Sequence, residues 1–300
     1  MSRRRKGNDI HGILLLDKPP GFSSNQAVQK LRWLFQARKA GHTGSLDPFA
    51  TGMLPICFGE ASKTAGFMLD AAKSYQAVAC VGQSTATGDV EGEILEELPV
   101  PALTPAIIES VFARFRGPIE QVPPMYSALK HQGERLYKLA REGKEIERKA
   151  RSVVIHRLEL ISWKPPFLQF KVTCSKGTYI RTLAEDLAKV LGSCAHLASL
   201  RRLQVGSFEE QEMVSLEEVQ QAVKESRHLD LLLPVDAGLL DWPEVILDGE
   251  ASTKFCHGNP APVTSVSETG VRVYGPGNQL LGLGETRRDN MVYPKRVFVW

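Results

Sequence analysis

The stretch Gly41-His42-Thr43-Gly44-Ser45-Leu46-Asp47-Pro48-Phe49-Ala50-Thr51-Gly52-Met53-Leu54-Pro55 sets one carboxylate, Asp47, in a loop. The segment is too rich in Gly, Thr and Pro to be the interior of a helix or strand. A histidine stands five positions upstream, and the apolar run 53–58 follows at once. Loops anchored on buried elements are where catalytic groups tend to sit. An Asp before Pro, taken alone, is most often a turn former whose side chain bonds its own backbone. The functional reading of Asp47 therefore rests on the whole string and on the motifs around it.

Working outward, residues 13–16 read as a buried strand ending in the turn Asp17-Lys18-Pro19-Pro20-Gly21. Ser24 is expected to cap a helix whose apolar face is Ala27, Val28, Leu31, Leu34 and Phe35. After the Asp47 loop come a short helix over 61–69 and an alternating strand over 73–81 closed by Gly82. Residues 85–93 are turn-rich, and Thr104 caps a helix through Phe115 that Gly117-Pro118 ends. A Pro-restricted loop spans 121–127, and a short helix is expected over 136–142. Strands over 153–163 and 168–174 flank a Lys-Pro-Pro turn. An amphipathic helix over 179–191, closed by Gly192, precedes a strand over 196–205. Helix 216–223 and an apolar link over 231–234 complete this part. Beyond Trp242 short alternating runs with many Gly and Pro predict a small all-β appendix.

The length of 300 residues suggests about two domains, and 43% hydrophobic with 24% charged residues places the chain among globular proteins. No apolar run is long enough to cross a bilayer. The basic N-terminus is followed by only the short run 13–16, so no signal peptide is expected. Five scattered cysteines (57, 80, 174, 194, 256), never in a C-x-x-C pair, fit a reducing cytoplasm better than a disulfide framework or a zinc site. Net charge is only +3, but cations cluster at Arg3 to Lys6, Arg148-Lys149-Arg151, Arg201-Arg202, Arg287-Arg288 and Lys295-Arg296. Clustered positive charge on a near-neutral chain suits a surface that follows a phosphate backbone.

Familiar cofactor signatures are missing. Gly59-Glu60-Ala61-Ser62-Lys63-Thr64 lacks the glycine that a phosphate-cradling loop needs before its lysine. The seven histidines show no ligand spacing, and no nucleophile elbow occurs, so neither metal nor cofactor is expected. Arg181 falls in the first turn of its helix, where the dipole disfavours a cation by a few tenths to about one kcal/mol. A carboxylate from another segment would convert that cost into a bidentate pair; a solvated arginine is the plainer alternative. Tyr75 and Tyr179 each stand beside a Lys or a Gly-rich turn, where a ring can pack half-buried or stack on a base.

The chain resembles the bacterial tRNA pseudouridine synthases of the TruB family over residues 10 to 235. Besides the Asp47 string, the resemblance is carried by Asp17 to Gly21, by Lys73-Ser74-Tyr75 and by Gln121 to Lys130. It continues in Cys174-Ser175-Lys176-Gly177-Thr178-Tyr179-Ile180-Arg181-Thr182-Leu183 and Leu200-Arg201-Arg202-Leu203. Ser45 and Phe49 depart from the Thr and Leu more usual there. The resemblance implies an α+β pseudouridine synthase fold on a bent, mainly antiparallel mixed sheet. It divides the chain into a basic flexible tail (1–9), a catalytic domain (10–235) and a PUA-like RNA-binding domain (242–300).

It further implies that Asp47 is the catalytic aspartate, attacking C6 of uracil or C1′ of ribose, with Arg181 pairing to it. Tyr75 stacks on the uracil and assists removal of the C5 proton; Tyr179 and Leu200 line the substrate pocket, and His42 enters the T-loop. The implied substrate is uridine 55 in the T arm of tRNA, flipped out of its stack and isomerised without cofactor, membrane or guide RNA by a monomer. Two other classes stay open: a non-catalytic RNA-binding protein on this scaffold, and a hydrolase with Asp47 as nucleophile, which would call for a second carboxylate.

Overall fold

Both faces of the Gly12–Lys18 strand are covered, which is why its apolar run is unbroken: Leu14 and Leu16 join one core, Ile13 and Leu15 another. The computed structural model that shows this describes residues 7–264 and 270–300. Within a nine-stranded sheet the strands run in the order Val214–Ser215, Gly12–Lys18, Thr51–Phe58, Ala195–Val205, Lys73–Val81, Phe167–Cys174, Arg151–Lys164 and Gly117–Gln121. Two pairings are parallel, Gly12–Lys18 with Val214–Ser215 and Thr51–Phe58 with Ala195–Val205; the others are antiparallel. The mixed, mainly antiparallel sheet expected above is therefore present.

The join that matters most is the parallel one. Thr51–Phe58 gives its first two residues to Ala195–Val205, through Thr51 with Arg201 and Gly52 with Arg202. The far end of the same edge is taken by Ala40–His42, which pairs with residues 56–58. Residues 43–50, the Asp47 loop, leave the sheet in the gap between these two partners. Gly52 has φ +95°, and a Cβ there would lie 2.2 Å from the carbonyl oxygen of Arg202, so no other residue fits the join.

Helices Ser24–Leu34, Pro105–Phe115 and Ile180–Val190 cover one face, burying Leu31, Phe112 and Leu187 against Phe58, Ala77 and Phe170. On the other face Met68, Phe208 and Leu239 close over Ile13, Leu15 and Met53, joined by Leu283 from the C-terminal sheet and by Phe298 just beyond its strand Met291–Val297. That second sheet has the order Glu244–Ile246, Gly270–Tyr274, Leu280–Arg287, Met291–Val297, Ala261–Pro262. Among the described residues no helix is long and apolar enough to cross a membrane.

Three expectations need correction. The cap of the first helix is Ser23, which forms a capping box with Gln26; Ser24 is already helical and points inward. The helix expected over 61–69 divides into a 3-10 turn, Gly59–Lys63, and a helix, Ala65–Asp70. The appendix is not all-β: helix Gly249–Cys256, capped by Asp248, buries Ala251 and Phe255. Two turns with so few apolar residues show no visible period. Of the basic tail expected over 1–9, residues 1–6 lie outside the described residues. Asn8 and Asp9 are fixed, Asn8 by its N–H to the Gln36 carbonyl (2.7 Å) and Asp9 by Arg38 (2.9 Å).

Candidate active site

Three buried side chains from distant parts of the chain fix the Asp47 loop before Asp47 itself is considered. Ser24 Oγ accepts the N–H of Leu46 (2.8 Å) and donates to the Leu46 carbonyl (3.0 Å). Lys18 is wholly buried and gives its ammonium to the carbonyls of Pro19 (2.8 Å), Phe22 (2.8 Å) and Pro48 (3.2 Å). Burial pulls its pKa down to about 8, with the charges of Asp47 and Glu91 opposing. Arg202, also buried, donates to Met53 (2.6 Å), Ser45 (3.3 Å) and Gly44 (3.1 Å), tying both ends of the loop together. Sequence reasoning passed over Lys18 and Arg202 as site residues, since such cations are seldom fully buried.

The loop presents Asp47 to Arg181. Arg181 Nε lies 3.0 Å from Asp47 Oδ2 and its Nη2 lies 3.4 Å from Oδ1, so the guanidinium faces both carboxylate oxygens. The arginine side chain is only 5% exposed, whereas Asp47 keeps 37% of its side-chain surface open to solvent. The rest of the guanidinium is also engaged: Nη1 donates to the Thr87 carbonyl (2.5 Å) and Nη2 to that of Tyr126 (2.7 Å). Asp89 Oδ2 lies 3.4 Å from Nη1, and Asp89 is buried. The cation at this helix N-terminus is thus answered by two carboxylates and two carbonyls.

Asp89 escaped the sequence reading because a turn-rich stretch gives no sign that one of its acids is buried. Its Oδ1 accepts from the Thr87 hydroxyl (2.6 Å) and from the N–H of Glu91 (3.0 Å). Deep seating among protein atoms raises the carboxyl of Asp47 above its ordinary pKa; Arg181 opposes that, Asp89 reinforces it and Lys18 opposes it.

The remaining expected residues fall around this pair. Tyr75 stands opposite Arg202 across two strands and is 8% exposed. Burial raises its hydroxyl's pKa, Arg202 opposes, and the Asp47 charge adds to the rise. Tyr179 ends the loop before Ile180–Val190, its N–H donating to Gln121 Oε1 (3.0 Å), and burial raises its pKa with Asp47 again contributing. Leu200 is buried on the same strand as Arg202.

His42 is fastened to the start of the loop, its Nδ1 accepting from the Gly44 N–H (3.2 Å). Burial lowers its pKa, as do the charges of Arg202 and Arg135, so the ring is neutral near pH 7. The structure thus gathers Asp47, Arg181, Tyr75 and Tyr179 into one electrostatic neighbourhood, and sets His42 at its edge. Among the described residues no three His, Cys, Asp or Glu side chains come together to hold a metal.

Comparison with known proteins agrees over the whole chain. The family described as "TruB family pseudouridylate synthase (N terminal domain)" matches residues 32–180. "tRNA pseudouridylate synthase B C-terminal domain" matches residues 181–240, and "Pseudouridine synthase II TruB, C-terminal" matches 243–298. The chain is 50% identical over 298 residues to tRNA pseudouridine synthase B of Nitrosococcus oceani, covering 98% of this chain and 97% of that protein. It is also 50% identical to the protein of that name from Pseudomonas aeruginosa, covering 98% of each chain. Among solved structures, a Cbf5-Nop10-Gar1 complex matches with TM-score 0.74 at 24% identity, over 96% of this chain and 85% of that one, a likeness of fold. By the extent and identity of these matches, the chain belongs to the TruB family of pseudouridine synthases.

Proposed function

We propose that this protein isomerises uridine 55 in the T-loop of tRNA to pseudouridine, with Asp47 as nucleophile. The observation that carries the reading is the Asp47–Arg181 pair: a carboxylate partly open to solvent, aimed by a guanidinium that favours its charged form against the effect of burial. Asp47 attacks C6 of the uracil or C1′ of the ribose, and the N1–C1′ bond breaks. The uracil turns, C5 bonds to C1′, the bond to Asp47 breaks and returns its carboxylate, the C5 proton leaves and N1 gains one. No electrons are exchanged, so the isomerisation asks for no cofactor. Tyr75 is the platform for the uracil and assists removal of the C5 proton, with Arg202 beside its hydroxyl as counter-charge. Tyr179 and Leu200 line the pocket, and neutral His42 fills space left by bases flipped from the T-loop.

In this reading residues 10–235 form the catalytic domain and 242–300 a PUA-like RNA-binding domain. The enzyme is a cytoplasmic monomer that recognises tRNA without a guide RNA. Recognition rests on loop shape, with lysines and arginines on phosphates. The rival hydrolase needs a second, accessible acid. The nearby Asp89 is ill suited, its carboxylate occupied by Thr87, Glu91 and Arg181. The test is tritium release from tRNA labelled at uridine C5, with wild-type protein and Asp47→Asn side by side. Release by the wild type alone, with binding retained by the variant within about tenfold, supports the reading. Equal release by both refutes Asp47 as nucleophile, and free uracil as product would favour a hydrolase.

A further inference from the structure

The helix that carries Ser24 at its start ends in a surface the catalytic reading does not use. Trp33, in the last turn of Ser24–Leu34, leaves 70% of its surface in solvent. Beside it lies a cleft of about 590 Å³ walled by Gln29, Arg32, Trp33, Gln36 and Gly7. Lys30 Nζ stands 5.2 Å from the centre of the indole ring. Lysine and arginine at a helix C-terminus are explained by the dipole alone. A solvated indole is not, since it forgoes burial of one of the largest apolar surfaces a residue has. The Asp9–Arg38 pair neutralises itself, while Arg32 in the cleft wall and Lys30 beside the indole carry positive charge.

We propose that this cleft is a second RNA-contacting site, in which one unstacked base of the bound tRNA lies on Trp33. Every base offers a π-face to an indole, and cations beside a stacking platform are the common equipment for holding a nucleic-acid strand. Gln29 and Gln36 add amides that donate and accept, suited to a base edge. Occupancy by RNA rather than an apolar protein segment follows from the surrounding charge. The helix is 11 residues long, so the platform lies roughly 15 Å from the Ser24 contact to the catalytic loop. The base it takes is assigned on this ground to a part of the tRNA away from the reacting uridine, and the comparison of full tRNA with the hairpin below decides whether it lies outside the T-loop. The inference rests on the tRNA reading above and extends it to a contact away from the reacting uridine.

The test compares wild type, Trp33→Ala and Trp33→Phe in binding a full-length unmodified tRNA transcript and an isolated T-arm hairpin at one fixed salt concentration. Trp33→Ala should weaken tRNA binding roughly tenfold, the loss of one stacked base. Trp33→Phe should keep most of the affinity. Hairpin binding, and tritium release from a C5-labelled hairpin, should be the same for all three proteins. Equal tRNA affinity for Trp33→Ala and wild type would overturn the proposal. So would a loss shared equally by the hairpin, which would assign Trp33 to the T-arm site or to the fold. Failure of the tRNA reading would look different: wild type would release no tritium from either RNA, whatever stands at position 33.

Discussion

Arg181→Lys is the substitution that discriminates most sharply between a residue that aims the nucleophile and one that holds RNA. The guanidinium addresses both oxygens of Asp47, two backbone carbonyls and Asp89 from one rigid plane. A lysine ammonium offers three donors at a single point and cannot span these partners. Each charge-assisted hydrogen bond lost is worth about 1.5–3 kcal/mol. If the contacts to Asp47 are made chiefly in the transition state, losing about 3–4 kcal/mol lowers kcat roughly 10²- to 10³-fold.

Affinity for tRNA should stay within about threefold, because the arginine is 5% exposed and has little surface to offer a phosphate. Without the fork, the influence that opposes burial at Asp47 is weakened, so the acid limb of the rate profile should move to higher pH. Single-turnover tritium release at several pH values, with tRNA binding measured in parallel, reads all three quantities. An unchanged single-turnover rate, or a loss of affinity as large as the loss of rate, would refute the reasoning.

Three further outcomes are expected. Ser24→Ala leaves the Leu46 N–H and carbonyl without their partner, costing about 1–3 kcal/mol of stability and lowering the rate about tenfold, with tRNA affinity unchanged; a rate equal to wild type would show that the loop holds itself. Burial, with Asp186 next in effect, lifts the Glu185 pKa from 4.5 to about 7. The folded state then binds the extra proton between those values, so the Glu185 contribution to stability is full below about pH 4.5 and lost as pH rises through 7. Glu185→Gln should therefore be more stable than wild type by about 3 kcal/mol at pH 8 and by only about 1 kcal/mol at pH 5; urea unfolding with the same difference at both pH values would contradict this. Affinity for tRNA should fall steeply between 50 and 200 mM salt, and a flat response would remove the phosphate-tracking argument.

How far the site was legible in the sequence depended on whether a residue broke a local rule. Arg181 stands where a helix dipole disfavours it; that misfit left a carboxylate partner or a solvated side chain open, the family resemblance implied Asp47, and the two side chains do meet. Strands over 73–81 and 168–174 were legible because an alternating run needs no tertiary information. Asp89 breaks no local rule: an acid in a Gly-rich turn is ordinary until another segment buries it. Lys18 and Arg202 are concealed differently, because their buried partners are main-chain carbonyls, which any sequence supplies. Ser23 and Ser24 are adjacent and chemically alike, and only the reach of Gln26 back to Ser23 decides which one caps. The helix Gly249–Cys256 was lost because two turns carry too little period to register.

The way the Asp47 loop is held has a consequence for the order in which the protein comes into being. Ser24 and Lys18 precede the loop by 22 to 30 residues, but Arg181 follows Asp47 by 134 and Arg202 follows Ser45 by 157. At a synthesis rate of about 5–20 residues per second, the loop leaves the ribosome roughly 10 to 30 s before Arg202 does. Throughout that interval its carboxylate has neither the fork that aims it nor the clamp that closes the loop. On the proposed reading, the nucleophile is thereby kept idle on the growing chain without any inhibitor. Completion of the sheet and closure of the loop arrive together, and a truncated product of translation ending before Ile180 would carry Asp47 without the arginine that faces it.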